Sequence, residues 1–270
     1  MSAITVEGRT RTGTAYWVTG GDPEAVLVHG LGEDHRQWAY QEDTLASIGI
    51  CTYDIRGHGR TPAGTTRGTL EQLGDDLVEL LETLGHRPRV LVGFSLGGTI
   101  VLWVAAMRPE LVRGVVALGT SSVVGQRARQ AYLDLARLAL DTREPAFAAA
   151  IAEGLRNGLQ RTDISVEALV RSDLEAIGNG AGYRNAALAM AGLAGAPLTP
   201  LLAQVRCPVL IVGADHDRYC PPKAQRLLLD ALPGSHYIEL KGVGHMMNSE
   251  TPETVTRLLR DFLAGLPSGA

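Results

Sequence analysis

Gly93-Phe94-Ser95-Leu96-Gly97-Gly98 puts one serine between glycines where an apolar run (residues 90–93) meets a helix-forming one, Leu96–Met107. A serine at a strand-to-helix junction must turn sharply and lift its hydroxyl out of the sheet edge. Gly93 and Gly97 are then required, because a β-carbon at either position would collide with the neighbouring strand or helix. The helix that follows offers free amides and a positive end to developing negative charge. The chemistry suited to such a hydroxyl is attack on an acyl carbon. Serine is a weak nucleophile at neutral pH, so it needs a base and a carboxylate to orient that base.

The chain holds seven histidines. His245, in Gly242-Val243-Gly244-His245, follows the last strand-like run and alone combines a suitable strand end with a suitable place in the chain. His29 ends an earlier strand, where it is placed to shape a loop. His58 lies between Gly57 and Gly59, and His35, His86, His216 and His236 fall in turns or strand starts. The carboxylate is expected in the loop after residues 209–212, where Asp215 and Asp217 both qualify. Either one gives the order serine, acid, histidine. An oxyanion hole completes such a site. Its donors are expected to be the Leu96 amide, beside the nucleophile, and the Leu31 amide in His29-Gly30-Leu31-Gly32.

These loops need a sheet to carry them. After a hairpin (residues 4–6 and 14–18) come short runs at 25–28, 48–53, 90–93, 115–118, 208–212 and 237–240. They are apolar throughout rather than alternating, which predicts strands buried on both faces of a parallel sheet. Between them, Leu70, Leu73, Leu77, Leu80, Leu81 and Leu84 recur at helical spacing up to Gly85. Helices are also expected over Leu96–Met107, Pro222–Ala231 and residues 252–263. Strand and helix alternate, so the fold class is α/β, a doubly wound, mostly parallel sheet. One stretch departs from this rhythm. Residues 126–140, 145–159, 166–177 and 183–193 are all helical by period, with Phe147, Ile151, Leu155 and Leu159 forming one stripe. The expected organisation is a core of residues 1–120 and 203–270 with a helical lid inserted at 121–202. Gly178-Asn179-Gly180-Ala181-Gly182 is its expected hinge.

Composition narrows the function class. At 270 residues the chain can bury a core without disulfide or metal staples. A net charge of −4 argues against nucleic acid as partner. No apolar stretch approaches the ~18 residues that span a bilayer. The opening Met1-Ser2-Ala3-Ile4-Thr5-Val6-Glu7-Gly8 lacks the basic and apolar regions of a signal peptide, so a cytoplasmic location is expected. Cys51, Cys207 and Cys220 have no CxxC spacing; they are expected to be structural, with no metal site.

With five ordered motifs in hand, the sequence resembles the α/β-hydrolase superfamily over nearly its whole length. The motifs are His29-Gly30-Leu31-Gly32, Asp54-Ile55-Arg56-Gly57-His58-Gly59-Arg60-Thr61, the serine turn, the segment from Asp217 to Pro221, and Gly244-His245. The resemblance implies a Ser95–Asp217–His245 triad, with Asp215 as the alternative acid, and makes Asp54, Arg56 and His58 scaffold. Serine at 95 sets the chain apart from relatives that use aspartate there, the epoxide hydrolases and haloalkane dehalogenases. More diffusely, the whole chain is similar to 3-oxoadipate enol-lactonases and related small esterases. The expected activity is hydrolysis of a small carboxylic ester, lactone or thioester without cofactor, on a substrate held under the lid. A lyase, cyclase or carbon–carbon bond hydrolase using the same triad is the second reading, and a non-catalytic receptor the third. Arg127, Arg129 and Arg184 of the lid are candidates to meet a substrate carboxylate. Oligomeric state stays open.

Overall fold

The computed structural model describes residues 4–266; residues 1–3 of the opening segment and 267–270 lie outside it. A hairpin of β1 (Thr5–Arg9) and β2 (Ala15–Thr19) leads to β3 (Ala25–Val28), the short helix α1 (Ala39–Leu45) and β4 (Ile50–Tyr53). Then come α2 (Leu70–Thr83), β5 (Arg89–Phe94), α3 (Leu96–Met107) and β6 (Val112–Leu118). Four helices follow: α4 (Gln126–Leu138), α5 (Pro145–Gly158), α6 (Val166–Ile177) and α7 (Ala181–Gly192). The chain finishes with β7 (Val209–Ala214), α8 (Pro222–Ala231), β8 (His236–Leu240), α9 (Met247–Glu250) and α10 (Pro252–Gly265).

The strands form one sheet in the order β1-β2-β4-β3-β5-β6-β7-β8. The pairs β1–β2 and β2–β4 are antiparallel, and from β4 onward every pair is parallel. This is the doubly wound, mostly parallel sheet that the strand–helix alternation predicts. β3 and β5 are neighbours, so the loops leaving their carboxyl ends, with Leu31 and Ser95, emerge side by side. β7 and β8 are likewise paired, which brings together the loops holding Asp217 and His245.

Uniformly apolar strands make sense because each feeds two cores. In β3, Val26 and Val28 join one apolar cluster while Ala25 and Leu27 join the other. β7 divides in the same way, Val209 and Ile211 against Leu210, Val212 and Ala214. The first cluster is closed by α2, α3 and α8, the second by Trp38, Leu45, Val255, Leu259 and Leu263 around α1 and α10. Thr69 caps α2, its hydroxyl accepting from Gln72 N at 3.3 Å. α3 is buried on nearly every side, from Leu96 to Ala106, because it lies between the sheet and other helices.

α1 has no counterpart among the expected elements. Its segment Ala39-Tyr40-Gln41-Glu42-Asp43-Thr44-Leu45 carries little apolar periodicity, and Gln41 is buried through a hydrogen bond to Thr256 Oγ1 of α10 (3.1 Å). A polar residue whose amide donates to a distant helix leaves no local pattern.

The helices between β6 and β7 follow the expected boundaries closely, and α5 buries Phe147, Ile151 and Leu155 on one stripe. In the glycine run at 178–182, expected as a hinge, two positions are closely packed. A β-carbon on Gly180 would lie 2.2 Å from Ala139 O, and one on Gly182 2.2 Å from Gly57 O. These glycines are small because backbones touch there. They fasten α7 to α4 and to the loop around Gly57.

Candidate active site

Ser95 sits between β5 and α3 with φ 52° and ψ −115°, alone among the described non-glycine residues in having positive φ. Holding an L-residue there costs about 1–3 kcal/mol, so its surroundings must over-determine it. Ser95 N donates to Leu118 O at 2.8 Å, and the Thr120 hydroxyl donates to Ser95 O at 2.7 Å. The flanking glycines are needed for the reason that the sequence suggests. A β-carbon on Gly93 would lie 2.3 Å from Gly97 O, and one on Gly97 2.2 Å from Val28 O. Both obstacles are backbone and cannot swing aside. Gly97→Ala is therefore expected to destabilise the fold by at least about 3 kcal/mol. Urea unfolding measures this directly, and a loss below about 1 kcal/mol would mean that β3 and α3 separate easily.

His245, 6% exposed, brings its ring between two partners. Nε2 lies 3.0 Å from Ser95 Oγ, and Nδ1 lies 2.9 Å from Asp217 Oδ2. The other carboxylate oxygen, Asp217 Oδ1, accepts from Tyr219 N and Cys220 N, each at 2.8 Å. Burial alone would raise the Asp217 pKa. The charge and hydrogen bond of His245, with the two amides, outweigh it and hold the group below the ordinary carboxylate value. Asp215 points elsewhere: its Oδ1 accepts from Gly242 N at 2.8 Å and so braces the turn before His245. Phe94 and Tyr219 flank the imidazole, with ring centroids 5.0 and 5.1 Å away. The Gln225 amide donates to Cys220 O and to Thr120 O, both at 3.2 Å, and ties the acid loop to the serine turn.

Among the described residues, no protein acceptor takes the Leu31 or Leu96 amide, and the two amides follow the ends of the paired strands β3 and β5. The loop carrying Leu31 is fixed by two histidines. His29 Nδ1 must donate to Gly30 O (2.8 Å), because Nε2 accepts from Ile55 N (2.8 Å). His58 is held the same way, donating to Arg56 O (3.2 Å) and accepting from Gly32 N (3.4 Å). Burial, then the neighbouring His29, lowers the His58 pKa to about 3. Both rings are neutral struts with no nitrogen to spare for base chemistry, as the scaffold reading expects. Glu33 is a further strut, its Oε2 accepting from Gly30 N at 2.8 Å. Nothing in local sequence marks Glu33, Thr120 or Gln225 as part of this neighbourhood.

The three arginines expected to meet a substrate carboxylate have no hydrogen bond or ion pair to any residue of this site among the described residues. Arg127, Arg129 and Arg184 are all solvent-exposed, because each lies on the outer side of its helix. In the same stretch, burial holds the Tyr132 and Tyr183 phenols above their usual range. Burial, with Asp34 second, pushes Asp173 up to about 7. Two groups of ligand-type side chains have atoms within 4.8 Å of one another, Asp217–Cys220–His245 and Asp34–His35–Asp54. In the first, the carboxylate and the imidazole are committed as described, and burial holds the Cys220 thiol well above its usual range. In the second, Asp34 is bound by Arg36 and His35 by Asp54. Neither is preformed for a cation. Among the described residues no helix is long and apolar enough to cross a membrane.

Comparison with known proteins agrees with this architecture. The family model for the alpha/beta hydrolase fold matches residues 26–252. A protein of Klebsiella pneumoniae (strain 342), provisionally named carbamate hydrolase RutD, is 30% identical over 258 residues, covering 91% of this chain and 93% of that one. Pyrrolizixenacetamide deacetylase of Xenorhabdus hominickii is 27% identical over 257 residues, covering 92% and 94%. The crystal structure of the enol-lactonase from Burkholderia xenovorans LB400 superposes with a TM-score of 0.82 at 26% identity, over 96% of this chain and 100% of that chain. With the family model spanning most of its length, and relatives named as hydrolases over nine-tenths of it, the chain belongs to the α/β-hydrolase family and is a hydrolase.

Proposed function

We propose that this hydrolase cleaves a small carboxylic ester, lactone or thioester through an acyl-enzyme on Ser95. The observation that carries the reading is the continuous hydrogen-bonded chain from Ser95 Oγ through His245 to Asp217. His245 Nε2 takes the serine proton as Oγ attacks the carbonyl. Asp217 holds Nδ1–H and stabilises the imidazolium, while the Leu96 and Leu31 amides receive the oxyanion. His245 then protonates the leaving group, and afterwards activates the water that releases the acid. Residues 121–202 act as a cap with the substrate beneath them. Tyr219 supports this placement, since it lies against His245 and donates to Gly154 O of α5 at 2.8 Å. The cytoplasm, where thiols stay reduced, suits three free cysteines.

The exposed lid arginines favour an uncharged acyl group over one that needs a carboxylate clamp. Carbamate and amide carbonyls belong to the same acyl chemistry, and the names of two relatives extend the candidate range to carbon–nitrogen bonds. Turnover in ¹⁸O-water tests the reaction class. Hydrolysis through an acyl-enzyme places the label in the released carboxylate, whereas unlabelled product would transfer the site to lyase or cyclase chemistry. A fluorophosphonate is expected to label Ser95 stoichiometrically; no labelling would favour a non-catalytic receptor.

A further inference from the structure

One buried carboxylate outside the proposed triad joins three separate segments. Glu250, at the end of α9, is 2% exposed. Its Oε1 accepts from Gly244 N at 3.0 Å, the residue directly before His245. Its Oε2 accepts from Gln160 N and Arg161 N, each at 3.1 Å, just beyond α5 in the insertion. The Arg161 guanidinium returns a bond to Glu250 O at 3.0 Å, and Met246 N donates to Gly158 O at 3.2 Å. The segments meet so closely that a β-carbon on Gly244 would lie 2.3 Å from Gly158 O.

We propose that Glu250 is a positioning residue that fixes the His245 loop against the insertion, so that the base is aligned only while the insertion is seated. The inference rests on the reading of His245 as general base. A carboxylate fits this junction because all three of its backbone partners are donors. Glutamine does not. Its single oxygen can serve Gly244 or the Gln160–Arg161 pair, and its NH₂ then faces N–H groups on the other side. One end of the tether must release, and the His245 backbone moves relative to Ser95. A misplacement near 1 Å is enough to cost roughly 10²-fold in rate.

The test is a double-mutant cycle on the full chain, read as turnover of an activated p-nitrophenyl ester, per fluorophosphonate-titrated site where His245 is present and per mole of folded protein in His245→Ala, whose serine lacks the base that titration needs. Glu250→Gln is expected to lower kcat per site about 10²-fold with little change in KM. In a His245→Ala background, Glu250→Gln is expected to cost nothing more, because its effect passes through the missing ring. A purely structural role would lower the number of titratable sites and leave kcat per site unchanged, which overturns the proposal. Additive losses in the cycle overturn it too. Normal turnover by folded His245→Ala would instead sink the base assignment. Should Glu250→Gln not fold, Arg161→Ala removes only the guanidinium clamp on Glu250 O. It is expected to lower kcat per site about fivefold in the wild-type background and to leave turnover per mole of folded protein unchanged in His245→Ala; equal losses in both backgrounds count against the tether.

Discussion

Replacing Ser95 by alanine is expected to reduce turnover of an activated ester by about 10⁴- to 10⁶-fold while the protein stays folded. The nucleophile disappears, but the residual rate stays above that in water because the oxyanion donors and the binding surface remain. Folding should survive because the serine hydroxyl has a single side-chain partner, His245 Nε2. The anchors of the turn, Ser95 N to Leu118 O and Thr120 Oγ1 to Ser95 O, use backbone atoms that alanine keeps. Alanine also retains the β-carbon, so the strain at φ 52° persists. Ser95→Gly is then a useful companion. It removes the nucleophile and the conformational cost together, and should raise stability by about 1 kcal/mol. Thermal unfolding read beside ester turnover separates the two effects. Wild-type turnover by folded Ser95→Ala would end the acyl-enzyme reading.

Asp217→Asn is expected to cost about 10⁴-fold in kcat, while Asp215→Asn costs less than roughly tenfold. The difference follows from which atoms each carboxylate faces. Asp217 Oδ1 accepts from two backbone amides, Tyr219 N and Cys220 N. An asparagine must keep its oxygen there and turn its NH₂ toward His245 Nδ1. That nitrogen then becomes an acceptor, and the proton moves to Nε2, where it faces Ser95 Oγ. The imidazole can no longer take the serine proton. Asp215 meets one backbone donor, Gly242 N, and an asparagine oxygen serves that contact as well. Steady-state kinetics on the two single variants decides the matter, and the reverse ranking would reassign the acid.

The two aspartates also mark where sequence reading stops. They lie two residues apart after the same strand, and either satisfies the serine–acid–histidine order. The turn that separates them closes through Asp217 N donating to Ala214 O (3.2 Å), and the two carboxylates meet different partners, Gly242 N for Asp215 and His245 Nδ1 for Asp217. Their directions depend on backbone angles that composition does not encode. Arg127, Arg129 and Arg184 repeat the lesson. Helical period locates their helices well, but which side faces solvent is set by how α4 and α7 pack together. The glycine run at 178–182 reads as flexible, and only the approach of Ala139 and Gly57 reveals that Gly180 and Gly182 sit against backbone.

By itself the sequence determined the order of the strands and of the longer helices, the serine turn with its two essential glycines, and the candidate base and oxyanion amides. Each is a local matter, written in periodicity or in a backbone geometry that only certain residues tolerate. The tertiary structure decided the rest: Asp217 beside His245 with Asp215 turned away, α1 held by Gln41 and Thr256, and Glu33, Thr120, Gln225 and Glu250 gathered around the site. These residues are recruited by hydrogen bonds between segments far apart in the chain. A buried polar side chain takes whatever partner the fold brings to it, and leaves no pattern in its own neighbourhood to announce the choice.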